Sequence, residues 1–134
     1  MIEIGKYNTL TILRDTKVGL FLGNPQEDPE GINDILLPNK YVPNKFEIGD
    51  ELTVFVYLDH EERPVSSTLE PYILLNEFAL LRVNYVNQIG AFMDWGMEKD
   101  ILVPFMYLEG FVKKPFNSSK FQFFSYLASA LEYL

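Results

Sequence analysis

Gly90-Ala91-Phe92-Met93-Asp94-Trp95-Gly96-Met97-Glu98-Lys99-Asp100-Ile101-Leu102-Val103-Pro104 reads as two short strands joined by a glycine-bearing turn. Side chains alternate across a strand, so Ala91, Met93 and Trp95 share one face while Gly90, Phe92 and Asp94 share the other. The first set is apolar throughout and belongs in a core. The second puts an aromatic ring and a carboxylate on the opposite face, beside a glycine that leaves the backbone open.

The pattern has a fainter copy earlier in the chain. Val18-Gly19-Leu20-Phe21-Leu22-Gly23 is followed by Asp34-Ile35-Leu36-Leu37-Pro38, and Gly19 and Gly90 lie 71 positions apart. The same offset carries Phe21 onto Phe92, Leu10 onto Leu81 and Ile12 onto Val83. At Asp34 and Asp100 the offset is 66, because the first copy has the longer loop. A shared start, a shared parity and a difference in loop length are what a tandem repeat of one fold shows.

Reading outward, the first copy predicts five short strands. Tyr7 to Arg14 is strand-like, as are Leu20 to Leu22 and Asp34 to Pro38. Between the last two, Gly23 to Gly31 holds Pro25 and Pro29 and cannot continue a strand ladder. Leu52, Val54, Val56 and Leu58 alternate with Thr53, Phe55 and Tyr57 in the clearest strand of the chain. After the turn at Asp59 to Pro64, Val65 to Thr68 completes the set. Five antiparallel strands in this length describe a small closed barrel better than a sandwich.

The second copy restarts at Phe78 to Tyr85 and reads as three strands ending at Pro104. Gly110 to Ser118 looks like a loop. Beyond it, Phe121, Phe124, Leu127, Ala128, Leu131 and Leu134 recur at helical spacing, with Ser118 or Ser119 as a cap, while the Phe-rich content leaves a strand as the alternative. The expected fold class is therefore mainly β: one small barrel over 1–70, an incomplete second copy over 71–110, and a loop with an amphipathic C-terminal helix over 111–134.

Composition narrows the function classes. Hydrophobic residues at 48% and charged residues at 22% mark a globular chain, with 15% aromatic residues in Phe and Tyr above all. No window is long and apolar enough to cross a bilayer, so no membrane partner is expected. Met1 to Lys6 lacks the basic start and apolar run of a signal peptide. The absence of Cys removes disulfides and thiolate metal sites, and points to a reducing, cytoplasmic setting. A net charge of −8 cuts against a strong nucleic-acid binder, since affinity for phosphates comes largely from Lys and Arg. Binding through a local patch or through stacking stays open.

Ile89-Gly90-Ala91-Phe92-Met93-Asp94-Trp95-Gly96 with Asp100-Ile101-Leu102-Val103-Pro104 resembles the second and third strands of the S-one-type OB fold. This is the RNA-binding repeat named after the largest protein of the small ribosomal subunit. The more specific resemblance is to the conserved virulence factor B family of bacterial RNA-binding regulators, which string several such repeats before a winged helix. It rests on Asp94-Trp95-Gly96, on Lys99 to Phe105, and on Phe55-Val56-Tyr57-Leu58-Asp59 with Glu62-Arg63-Pro64-Val65, and it covers residues 1 to about 107. Pro104 stands where ribosomal-type repeats carry a ligand-facing His, and Leu22-Gly23 replaces the Asp expected after Phe21.

The resemblance implies tandem OB-type barrels and single-stranded RNA as partner, in bacterial gene regulation. Phe92 is the leading candidate, a solvent-facing ring on the second strand that can stack a base for about 1–3 kcal/mol, against the plainer reading that it packs on the other domain or on the tail helix. Phe21 is its equivalent in the first copy, with no polar neighbour. Tyr57, with Phe55, either extends the stacking surface or fills an interface between domains. Arg63 matches an Arg that reaches a phosphate in many repeats, against the plainer reading of an exposed turn residue. Lys99 completes the set, although Lys99, Arg82, Lys17 and Arg14 are most simply read as solvated.

Asp94 is expected to hydrogen-bond its turn. His60 among Asp59, Glu61 and Glu62 reads as a solvated charge cluster rather than a metal site. The sequence carries no nucleophile–base pairing, phosphate loop or zinc spacing, so neither an enzymatic activity nor a cofactor is expected. The competing class is a protein-interaction module with an acidic surface. It would form a homodimer through strand edges or through the C-terminal helix.

Overall fold

The computed structural model describes residues 1–59, 61–104 and 122–125. They fall into two compact units, Met1–Leu69 and a second from Glu70 onward.

In the first unit the strands are β1 (Lys6–Asp15), β2 (Gly19–Gly23), β3 (Ile35–Pro38), β4 (Glu51–Leu58) and β5 (Pro64–Ser67). They close into a barrel in the order β1-β2-β3-β5-β4. Every pairing is antiparallel except β3 with β5, which is parallel at Leu36 and Val65. This five-stranded closure fits the expected OB-type architecture. Leu10, Ile12, Leu20, Leu22, Ile35, Leu37, Val54 and Val56 form the interior. These are the inward positions that the alternation predicts, and burying each such side chain contributes about 1.5–3 kcal/mol. An ionised Asp at Val54 would have no partner there and would break the barrel.

One irregularity decides what faces outward. Leu10, Ile12 and Arg14 share a parity, so a regular β1 would turn Arg14 into the core. Instead Ile12 pairs with Leu22 and Arg14 with Phe21, leaving Leu13 as an extra residue. This bulge swings Arg14 to the outer surface.

In the second unit the strands are β6 (Ala79–Val86), β7 (Gly90–Asp94), β8 (Ile101–Pro104) and β9 (Gln122–Ser125), in the order β8-β7-β6-β9. Leu81, Val83, Ala91, Met93, Trp95, Ile101 and Val103 are buried, as the alternation predicts. β6 carries the same bulge one copy later: Val83 pairs with Met93 and Tyr85 with Phe92, so Asn84 is the extra residue.

Where the stretch expected to be a C-terminal helix is described, it is a strand instead. Gln122–Ser125 is a strand, antiparallel to β6, and the described residues contain no α-helix. Its register places Arg82, Leu81, Leu80 and Ala79 opposite Gln122, Phe123, Phe124 and Ser125. The pairs Thr11–Glu51, Leu10–Leu52 and Thr9–Thr53 between β1 and β4 sit 71 positions earlier on both strands. Two forces favour the strand: aromatic residues fit a pleated surface, and β6 has an edge of unpaired backbone groups to satisfy. The rest of the predicted helix lies outside the described residues, as does His60.

Gly19 and Gly90 occupy equivalent positions with the same constraint. A Cβ on Gly19 would lie 2.1 Å from the Leu37 carbonyl oxygen, and one on Gly90 would lie 2.2 Å from that of Val103. Only glycine lets the neighbouring strand approach so closely.

Candidate nucleic-acid interface

Residues directly opposite one another in a sheet share a face. The registers of the first unit therefore define one outward row: Arg14 on β1, Phe21 on β2, Leu36 on β3, Val65 on β5 and Tyr57 on β4. Phe21, Leu36, Val65 and Tyr57 are half-buried and Arg14 is exposed. Two of the predicted residues, Phe21 and Tyr57, thus both belong to this outward band, three strands apart by way of β3 and β5 around the closed barrel.

Neither is a bare ring. The Arg14 guanidinium carbon lies over Phe21 at 4.4 Å from the ring centroid. Arg14 Nη1 donates to Asp34 Oδ2 at 2.7 Å, and only 6% of the Asp34 side chain is exposed. Tyr57 is stacked on Phe55, with centroids 5.7 Å apart and planes 16° from parallel, while the buried Phe55 also meets Tyr7 edge-on at 6.1 Å. A cleft of about 750 Å³ opens beside Asp34, lined by Ile2, Ile4, Ile32, Ile35 and Pro64, and by the carboxylates of Glu27 and Asp28.

Arg63 stands just before β5, in the turn from β4. Its Nε donates to Asp59 Oδ2 at 2.9 Å and its Nη2 reaches Glu61 Oε2 at 3.2 Å. Burial alone would raise the Asp59 carboxyl. The backbone N–H groups of Arg63 and Glu61, together with the Arg63 guanidinium, outweigh it and hold the group below its ordinary value. The predicted phosphate-binding Arg is therefore already held by two carboxylates.

Phe92 and Lys99 belong to the second unit. Phe92 is half-buried on β7, with Tyr85 opposite on β6 and Leu102 opposite on β8. The Tyr85 and Phe92 centroids are 5.8 Å apart with planes at 40°, and Tyr85 is exposed. Lys99 is exposed in the turn between β7 and β8, and its carbonyl accepts a 2.7 Å hydrogen bond from Trp95 Nε1. Asp94 closes the same turn, Oδ1 accepting from the Gly96 N–H at 3.0 Å, as expected. Asp100, set like Asp34 just before its strand, accepts from Asn84 Nδ2 at 3.1 and 3.2 Å.

Sequence reading missed Arg14, Asp34, Leu36, Val65 and Tyr85. Arg14 carried a signal: a charged residue at core parity directly after Leu10 and Ile12 calls for a bulge. Among the described residues no cluster of three or more His, Asp or Glu could hold a metal ion. No helix there is long and apolar enough to cross a membrane.

Residues 4–69 match the S1 domain model. Over 100 residues, 74% of this chain, the sequence is 35% identical to "Uncharacterized protein YitL" of Bacillus subtilis, of which the match covers 32%. A crystal structure of a multidomain protein with nucleic acid binding domains from Streptococcus pneumoniae superimposes with a TM-score of 0.56 at 22% identity. That match covers 75% of this chain and 33% of the other. The likeness supports the fold. The chain thus spans about a third of the length of these relatives.

Proposed function

We propose that this chain binds single-stranded RNA through the outward aromatic faces of its sheets. It would act without catalysis in bacterial gene regulation in the cytoplasm, as a relative of the conserved virulence factor B family. On this reading the second unit is a second copy of the OB-type motif, related to the first by the shared strand order, bulge and constrained glycine. The observation that carries the proposal is the outward row from Arg14 through Phe21, Leu36 and Val65 to Tyr57. It is an apolar, ring-bearing strip with a cation at one end, suited to stacked bases beside a phosphate chain. The match of residues 4–69 to the S1 domain supports nucleic-acid binding in general.

The test is fluorescence anisotropy with an unstructured, labelled RNA oligonucleotide, begun at low salt and repeated as salt rises. Binding should be measurable at low salt and should weaken with a shallow slope, since few cations face the row. No binding at low salt would sink the proposal.

A second reading is favoured by the net charge of −8 and by the engagement of Arg63 with Asp59 and Glu61. In it the chain is a protein-interaction or self-associating module. Light scattering separates the two, because a strict monomer at tens of micromolar counts against self-association.

A further inference from the structure

We infer that the stacking surface of the first unit is the guanidinium plane of Arg14, and that Asp34 is the positioning residue that holds it there. The inference rests on the RNA-binding reading and deepens it, because it names the group that meets the base. Phe21 cannot offer the ring face that Arg14 covers at 4.4 Å. Arg14 keeps 54% of its side chain exposed, so the cation over the ring remains accessible to a ligand. A planar, delocalised cation resting on an aromatic ring is itself a platform for a nucleobase, and it adds charge that a bare phenyl lacks.

Three features converge on this arrangement. The Leu13 bulge turns Arg14 outward and sets it opposite Phe21. The Asp34 carboxylate, almost wholly buried, takes Nη1 and fixes the guanidinium in place over the ring. Gly23 and Gly31 make room for that carboxylate, since a Cβ on either would lie 2.9 Å from an Asp34 oxygen. The second unit repeats the bulge but sets Tyr85 beside Phe92 instead. The two units therefore offer different platforms, Arg on Phe and Tyr on Phe, to an unstacked base.

The experiment compares wild type, Arg14→Lys and Asp34→Asn in titrations of an unstructured RNA oligonucleotide carrying 2-aminopurine, with each fold checked by circular dichroism. Arg14→Lys keeps the charge and the ion pair but loses the plane. Affinity should fall roughly three- to tenfold with an unchanged salt slope, and the 2-aminopurine signal on binding should shrink. Asp34→Asn leaves Arg14 charged but loosely held, and should give a similar loss. Wild-type affinity and signal in Arg14→Lys would overturn the inference, because a merely solvated or phosphate-binding cation is replaced by Lys without loss. Wild-type behaviour in Asp34→Asn would overturn the positioning role. If wild type itself fails to bind at low salt, the RNA-binding reading falls and this inference with it. That outcome is distinct from wild type binding while Arg14→Lys is indistinguishable from it.

Discussion

Arg14 is the ion partner of Asp34: the two meet at 2.7 Å, and Asp34 keeps only 6% of its side chain in contact with water. Its other oxygen, Oδ1, is buried with no hydrogen-bond partner among the described residues. Arg14→Ala would therefore strand a desolvated carboxylate. The loss should be about 1–3 kcal/mol of unfolding free energy, moderated because Arg14 itself is half in water. Urea denaturation measures it directly. Arg14→Lys should recover most of the loss, separating the stability role from the stacking role. A change below about 0.5 kcal/mol in Arg14→Ala would show that Asp34 finds water instead.

The two constrained glycines give a second expectation. Gly19→Ala and Gly90→Ala each drive a methyl group into a backbone carbonyl, at 2.1 and 2.2 Å, and the carbonyl cannot step aside without parting the strands. Gly49 has a φ of +99° but nothing within 4 Å of a built Cβ, so Gly49→Ala should cost only about 1–2 kcal/mol of backbone strain. Thermal melts should rank Gly19→Ala and Gly90→Ala well below Gly49→Ala. Equal melting temperatures for the three would mean that the strand approach is softer than the geometry indicates.

What the sequence made legible follows from locality. The five strands of the first unit announce themselves because each alternates within a few residues, and turn formers lie between them. Parity places Met93 in the core, and it is buried; Trp95 has the same parity but a Gly96 neighbour that leaves a half-exposed position open, and it too is buried. The bulge at Leu13 has one sign in the sequence, a charge at core parity in Arg14, whereas the bulge at Asn84 has none, since Leu81, Val83 and Tyr85 read as one unbroken face. The Leu13 bulge took Arg14 from an apparent solvated cation to a neighbour of Phe21. β9 was misread for a different reason: Phe121, Phe124 and Leu127 satisfy a period near 3.6 as well as strand propensity does. What decides Gln122–Ser125 is an open edge of β6, some forty positions away in the chain. Arg63 was found in sequence, but its two carboxylate partners depend on a turn whose geometry no spacing rule supplies.

The Arg63 turn yields a prediction about pH and about binding. Asp59 titrates below its ordinary value in the folded chain because the N–H groups and the guanidinium together outweigh the opposing effect of burial. A carboxyl depressed on folding contributes stability above its unfolded value, and loses it as pH falls through the folded value. Arg63→Ala should therefore move the Asp59 carboxyl titration upward, as followed by carbon-detected NMR, and flatten the acid limb of stability. Asp59→Asn removes one of the two carboxylates that hold Arg63, leaving Glu61, and should strengthen RNA binding at low salt if that cation can reach a phosphate. An unmoved Asp59 titration in Arg63→Ala would show that the guanidinium contributes little to the clasp.

Trp95 provides a reporter for the second unit alone. It is the single tryptophan of the chain, 5% exposed, and its Nε1 donates to the Lys99 carbonyl at 2.7 Å while its own carbonyl accepts from the Tyr72 N–H at 2.8 Å. Its emission should be blue-shifted in the folded chain and should move to the red when this unit opens. Trp95→Phe keeps most of the apolar burial but removes the Nε1 hydrogen bond to the Lys99 carbonyl, a loss of about 1 kcal/mol, with more from the smaller ring. In wild type, a urea transition by Trp95 fluorescence can be set against one by far-ultraviolet circular dichroism, which reads both units. Coincident midpoints would show that the units unfold together. An earlier fluorescence midpoint is expected, because the described strands of the second unit form an open sheet with β8 and β9 at its edges, whereas the first closes on itself.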